Sequence, residues 1–453
     1  MVATENWGAR HVVAVVGGAT AGSEIARLLS ERGVLVIVLE QNARPYGKIE
    51  DGLPRWHVKQ RKDEYEQINR RLEHPNVYYV PLTRLGTDIS FSDLVEAWKP
   101  NALVLAHGAW RDRPFPVEGA DRFIDRGLIY QNSLIYWFNH YLEAAYKGPR
   151  YELCPGTLVV GGGLASIDVV KVLQIEMTLK ALAARGISEE MVRLEREGIE
   201  PVLAKHGLKW ADLGMAPCKL FYRRRVIDMP LSDIPPDAPA ARAEALRQAR
   251  GKILDKARRK FLFDFQELRV PTGLVVEEER LVGLRLSRTE VADGQVRTVA
   301  DSAEEVRGGL TISSIGSIPV PLPGVPHRGE VYDYIDHKTG LLMERPILVF
   351  AAGNVLTGKG NIKDSLESGA EIGVRLAESY LGLSPEKISL ADGMRHLATE
   401  EGEGIAEAVS HRVPLPEPAV ANLMRWVRER QRAVGYDGNY RAWIAKVTPP
   451  DLQ

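Results

Sequence analysis

Apolar positions fall in short unbroken runs: Val12–Val16, VLVIVL at 34–39 and ALVLA at 102–106. Runs without polar alternation predict parallel strands covered on both faces. Between the first two, Ile25, Leu28 and Leu29 recur at helical spacing, and Gly33 is placed to end that helix. The succession returns at LVV, 158–160, where a glycine turn and a helical stretch lead to KLFY at 219–222. From about 167 to 213 the pattern reads as one long, charged helical stretch. The run ILVFAA at 347–352 passes through a glycine-rich turn into DSLESGAEIGVRLAESYL, a helix from about Lys363. From about 386 onward the chain reads as a helical tail with Trp and Arg. Strand, turn, helix and strand, twice over, predict an α/β protein with two Rossmann-like dinucleotide-binding domains.

In the first turn, Gly17, Ala19 and Gly22 occupy the three positions of a G-x-G-x-x-G cradle, with Gly18 and Ala21 between them. The first glycine allows the tight turn, the second lets backbone approach a pyrophosphate, and the third lets helix and strand pack closely. The helix N-terminus then offers N–H groups to the phosphates. Ala19 breaks the pattern at the point of closest approach. Glu40 follows about 20 residues on, where an acid binds ribose hydroxyls and repels a 2′-phosphate.

In the second turn, Gly161 and Gly163 supply the first two positions and Ser166 the third. The next strand ends in Arg223, Arg224 and Arg225 rather than in an acid, and guanidinium groups suit a ribose 2′-phosphate. Some 60 residues separate Gly163 from Arg223, so this unit carries an insertion. Two chemically different ligands are therefore expected, a dinucleotide with a free ribose and NADP(H).

A formal net charge of −1 gives no global reason to expect nucleic acid or an anionic membrane. Two cysteines, Cys154 and Cys218, are too few for a disulfide framework or a cysteine-ligated cluster. No metal site is expected. No run is long enough for a membrane span and no signal peptide is evident, so the expected compartment is the cytoplasm.

Further stretches carry a resemblance. GGGLASID at 161–168, YRRRVIDMP at 222–230, RPYGKIEDGLPRWHVK at 44–59, SSIGSIP at 313–319 and VFAAGNVLTGKGNIKDSLESGAEIG at 349–373 occur in order. Together they resemble the flavoproteins with two dinucleotide domains that include adrenodoxin reductase, NADPH–ferredoxin reductases and the small subunit of glutamate synthase. The likeness covers about residues 10–385. It implies a glutathione-reductase-like fold, the second Rossmann-like domain inserted into the first. Residues 1–110 and 320–385 would hold FAD, and 111–319 would hold NADP(H), with a helical insertion at about 175–216 and an extension at 386–453.

The resemblance also implies site residues. Gly47, Lys48 and Trp56 lie in the loop similar to the family's flavin-side loop, and Gly108 in the turn after the third strand. Leu164, Ala165 and Asp168 belong to the NADP turn, and Arg223 and Arg224 match the pair that contacts the 2′-phosphate. Gly353, Asn354, Gly360, Asn361 and Ile362 form the final flavin-binding turn. His57, in the flavin-side loop, is the expected catalytic residue, as a polar group near the nicotinamide or for proton handling. The chain departs from the family at Ala19, at Asn354 in place of Asp, at Leu356 and Thr357 in place of basic residues, and at His107. It also lacks the cysteine-rich cluster domain of glutamate synthase.

The implied activity is FAD-dependent oxidation of NADPH, with electrons passed to a ferredoxin-like protein or another electron-transfer partner. The basic stretch RQARGKILDKARRK at 247–260 is the candidate docking face. Two alternatives stand beside it: reduction of a quinone or other small acceptor, and a flavoprotein-like scaffold without catalysis.

Overall fold

The computed structural model describes residues 7–235, 237–383 and 413–449. Part of the expected tail, 386–412, lies outside them. The chain divides into two compact units. One comprises 1–50, 58–111 and 317–453, the other 51–57 and 112–316.

The first unit begins with β1 (Val12–Val16), α1 (Thr20–Ser30), β2 (Leu35–Leu39), the short α2 (Lys48–Asp51), α3 (Val58–Leu72), β3 (Val77–Val80) and β4 (Ala102–Leu105). A two-residue β5 (Arg111–Asp112) leads to the second unit. That unit holds β6 (Leu128–Tyr130), α4 (Gln131–His140), β7 (Leu158–Gly161), α5 (Leu164–Ala183), α6 (Met191–Glu197), α7 (Ile199–Lys205), β8 (Lys219–Tyr222), α8 (Ala240–Phe261) and β9 (Asp264–Glu267). Antiparallel β10 (Arg269–Glu277), β11 (Arg280–Ala292), β12 (Gln295–Thr298) and β13 (Glu304–Arg307) follow, and β14 (Thr311–Ser314) closes it. The first unit resumes with short β15 (Ser317–Ile318), β16 (His327–Arg328) and β17 (Val331–Tyr332), then β18 (Leu341–Met343), β19 (Leu348–Ala351), α9 (Asn354–Thr357) and α10 (Ile362–Arg375). It ends with α11 (Glu417–Ala433) and α12 (Tyr440–Val447).

The first sheet runs β18-β19-β4-β1-β2-β3, parallel except at β18. Its strands are apolar and buried because helices cover both faces. The register sets Val16 level with Leu39 and Leu105, and Leu105 level with Ala351. Gly17, Glu40, Ala106 and Ala352 therefore leave the sheet along one carboxyl edge, where open α/β sheets take their ligands. Gly33 ends α1 at φ +80°, its N–H donating to the Ser30 carbonyl at 3.0 Å. α1 and α10 touch through Gly369, where a Cβ would stand 2.7 Å from the Ala21 carbonyl oxygen.

The second sheet, β6-β14-β7-β8-β9, is wholly parallel. α5 packs on it with buried residues on most of its circumference. The helical stretch expected over 167–213 is broken. α5 stops at Ala183, and α6, α7 and a 3-10 turn at Trp210–Leu213 follow. Gly186, Gly198 and Gly207 take φ of +74°, +98° and +70°, conformations that stop a right-handed helix.

Residues 413–449 do not stand apart as an extension. Val420, Leu423, Met424 and Val427 of α11 enter the core of the first unit. Trp426 meets Trp98 edge-on, with ring centroids 4.0 Å apart. Gln431, buried, donates from Nε2 to the Tyr79 carbonyl at 2.7 Å, satisfying an acceptor on edge strand β3.

Candidate dinucleotide sites

In the first unit, Gly17 turns at φ +98° with a Cβ position 2.6 Å from the Ala106 carbonyl oxygen, and a Cβ at Gly22 would lie 1.8 Å from the Gly17 carbonyl oxygen. No larger residue fits either place. Ala19 is the N-cap of α1, whose first turn has neither a side-chain cap nor an acid, so its N–H groups face outward for an anion. Glu40, 4% exposed, accepts from the Gly18 N–H through Oε2 and from the Asn42 N–H through Oε1, both at 2.9 Å. The carboxylate thus joins the turn to the loop after β2. Within that loop Pro45 and Gly47 approach Gly18 and Ala19.

At the remaining strand ends, Gly108 takes φ +75°, and Trp110 donates from Nε1 to the His107 carbonyl at 2.8 Å. The His107 Nε2 lies 3.2 Å from the Tyr332 hydroxyl, which donates to the Val320 carbonyl at 3.0 Å. Desolvation pushes the His107 pKa down to about 4, so the imidazole is neutral at pH 7. Lys48 donates from Nζ to Ser317 Oγ at 3.1 Å and lies 5.7 Å from the Trp110 ring centroid. Gly353, at φ +65°, donates its N–H to Ser368 Oγ at 2.9 Å. Asn354 Oδ1 is buried without a hydrogen-bond partner among the described residues, and a Cβ at Gly360 would lie 3.6 Å from its Nδ2. Asn361 caps α10 by accepting from the Asp364 N–H at 2.7 Å, leaving Ile362 as the first helical residue.

In the second unit, a Cβ at Gly162 would strike the Tyr222 ring at 2.1 Å, so the turn lies flat against the end of β8. Ser166, fully buried, uses its hydroxyl to donate to the Ser314 carbonyl at 3.0 Å. That is why this third position takes serine. Gly163 caps α5, and exposed Leu164 and Ala165 open a first turn free of acids. Beyond Tyr222 the arginines separate. Arg225 pairs with Asp228 at 2.9 Å. Arg223 and Arg224 have their carbonyls bonded by Thr289 and Leu268, while neither guanidinium makes a hydrogen bond or salt bridge among the described residues.

Asp168, in the first turns of α5, is partly buried in the same unit. Burial pushes its carboxyl up, and Lys171 and His57 pull the other way. Lys171, 8% exposed, sits 3.3 Å from Asp168 and 3.2 Å from Glu195, with Trp56 and Phe261 ring centroids at 4.7 and 5.3 Å. Trp56 packs edge-on to Phe138 at 5.2 Å, and its buried Nε1 has no partner. The segment 51–57 is tied into this unit at two points. Asp51 lies 3.0 Å from His140 Nε2, whose Nδ1 lies 2.7 Å from Glu143. Arg55 donates to Glu176 at 3.2 Å and to the Tyr141 hydroxyl at 3.3 Å, beneath Phe138.

The structure thus brings Gly17, Gly18, Ala19, Ala21, Gly22, Glu40, Gly47, Lys48, Gly108, Gly353, Asn354, Gly360, Asn361 and Ile362 into the first unit. Gly161, Gly163, Leu164, Ala165, Asp168, Arg223 and Arg224 belong to the second. Trp56 and His57, expected beside a flavin-side loop, belong to the second unit because Phe138 and Lys171 there surround the Trp56 ring. Sequence reasoning singled out neither Lys171 nor Glu195, and passed over Tyr222, Asp51 and Arg55 within stretches it quoted. Lys171 left a signal, three residues after Asp168 on one helical face. Among the described residues no acidic, His and Cys group could hold a metal, and no helix is long and apolar enough to cross a membrane.

No known family's sequence profile matches the chain, and no curated protein sequence matches it. Solved structures do. FprA of Mycobacterium tuberculosis in complex with NADPH is 17% identical at a TM-score of 0.66, over 93% of this chain and 91% of that one. A point variant of FprA is 16% identical at 0.65, with the same coverage. A further FprA structure, described as containing a covalent modification of NADP+, is also 16% identical at 0.65 with that coverage. The chain therefore has the fold of the flavoproteins with two dinucleotide domains.

Proposed function

We propose that this chain is a flavoprotein oxidoreductase that binds FAD in its first unit and NADPH in its second, takes hydride from NADPH, and passes electrons to an acidic, ferredoxin-like protein. The observation that carries the reading is the contrast between the two strand ends: buried Glu40 at one turn, unpartnered Arg223 and Arg224 at the other. An acid there suits the free ribose of FAD, and guanidinium groups suit the 2′-phosphate of NADPH.

The residues fit both groups. Gly17 and Gly22 leave a cradle that a Cβ would fill, and the open N-terminus of α1 suits the FAD pyrophosphate. Asn354 Oδ1, buried and unpartnered, would accept from a ribityl hydroxyl. In the second unit the acid-free start of α5 would take the NADPH pyrophosphate. When bound, the two cofactors supply the hydride chemistry and the change from paired to single electrons. The chain holds and orients them. His57, whose charge bears on the Asp168 carboxyl, would hold or move a proton. FprA, which this fold resembles, is described in complex with NADPH.

For the partner, α8 carries eight basic and two acidic residues, with Lys252, Lys256 and Arg259 exposed. Such a face favours an acidic electron carrier. The test is direct. Purified protein should be yellow and should bleach anaerobically with NADPH in preference to NADH. It should then turn over with ferredoxin. Turnover with quinones alone would replace the partner by a small acceptor, and a colourless protein that refuses FAD would overturn the reading.

A further inference from the structure

The loop 41–47 forms one wall of the first dinucleotide turn, since Pro45 and Gly47 face Gly18 and Ala19. The loop has only bends and turns, so its position is set by bonds from outside. The Ala43 carbonyl accepts from the Tyr79 hydroxyl at 3.2 Å and from the Trp443 indole N–H at 2.8 Å. Asn69 Oδ1 accepts from the hydroxyls of Tyr46, at 3.1 Å, and Tyr440, at 2.8 Å. The Tyr46 ring stacks on Tyr65 at 3.8 Å. Two of these donors come from α12. That helix is itself fastened: Asn439 caps it, and Arg441 pairs at 3.0 Å with Glu66 on α3 and at 2.8 Å with Glu73 just past the end of α3.

We infer that Tyr440 and Trp443 are positioning residues of the first dinucleotide site, and that α12 sets how firmly FAD is held. The inference rests on the reading of FAD in this unit. A wall fixed before binding spares the ligand the cost of ordering it, so affinity follows the clamp. By linkage, FAD must tighten α12 as much as α12 tightens FAD.

The test compares FAD release, followed by recovery of flavin fluorescence, in the parent and in a Trp443→Phe, Tyr440→Phe double variant. These changes remove both donors and keep an aromatic ring at each position. Release should be roughly ten-fold faster, the size expected for two hydrogen bonds of modest net worth. Val420→Ala, a buried core residue of α11 with none of these bonds, is the control for stability alone. It should lower the melting temperature yet release FAD near the parental rate. The inference falls if the double variant stays within about two-fold of the parent, or if Val420→Ala releases FAD as fast as it does. Should the double variant not fold, hydrogen exchange on the parent decides. FAD should slow exchange across both 41–47 and 440–447, and unchanged exchange in α12 overturns the inference. A parent that takes up no FAD would instead sink the functional reading beneath it.

Discussion

Gly47 and Ala19 face each other so closely that a Cβ on Gly47 would stand 3.0 Å from the Ala19 methyl. The alanine that interrupts the first glycine pattern is matched by a glycine on the opposing loop, at φ +51°. Gly47→Ala should therefore both strain the backbone and push the loop off the turn. A side chain in that left-handed region costs about 1–2 kcal/mol, so FAD affinity should fall by roughly ten-fold or more. Titration of the apoprotein with FAD measures it. Ala19→Gly should bind FAD at least as well as the parent.

Arg223 and Arg224 carry the expected preference for NADPH. Each charged hydrogen bond to a 2′-phosphate is worth about 1.5–3 kcal/mol. The Arg223→Ala, Arg224→Ala variant should lose 100-fold or more of its preference for NADPH over NADH, by about two such bonds. Competition by 2′,5′-ADP should weaken in parallel. Arg225→Ala should leave the preference intact, because Arg225 is held by Asp228.

His107 makes stability depend on pH. The unfolded chain takes this proton from about pH 6.5 downward, the folded chain only near 4. Between those values the unfolded state binds more protons, so stability falls as pH falls. The full shift corresponds to roughly 3 kcal/mol, most of it lost by pH 4.5. Urea unfolding at pH 7.5 and 4.5 should show a smaller acid loss for His107→Gln than for the parent, since glutamine takes no proton.

Lys171 sits between Asp168 and Glu195 in the interior of the second unit. Lys171→Met would leave two carboxylates without their cation, and should cost about 3 kcal/mol. It should also raise the Asp168 pKa further, visible as an upward move of the carboxyl titration by NMR. Adding Glu195→Gln should restore part of the stability.

Much of this was legible because the first-turn signals are local. Val12–Val16, Gly17, Gly22 and Glu40 lie within 30 residues, and strand period, turn and acid dictate one another over that span. The second turn was legible for the same reason at Gly161–Asp168. What the sequence hid depends on contacts between distant residues. That the third position takes Ser166 in particular depends on its hydroxyl meeting the Ser314 carbonyl, 148 positions away. Arg223, Arg224 and Arg225 are chemically alike in the sequence, and only the turn that brings Asp228 beside Arg225 tells them apart. The apparently continuous helix after the second turn misled because charge and apolar spacing continue across Gly186 and Gly198, while the backbone there turns left-handed. The helical character of the tail was legible, but the contact of Gln431 with β3 was not, because no periodicity encodes a partner strand that far away.

The short segment 51–57 has an outcome for how the protein is made. It leaves the ribosome early, yet Phe138, Glu176 and Phe261, which shelter Trp56 and Arg55, are synthesised later. The second unit has all its residues by Gly316, whereas the first still awaits β19, α10 and the C-terminal helix pair. On a growing chain the inner unit should therefore be able to consolidate first, by drawing those seven residues out of the unfinished outer one. A fragment spanning only 112–316 would lack them, and would carry Glu176 without the arginine that neutralises it.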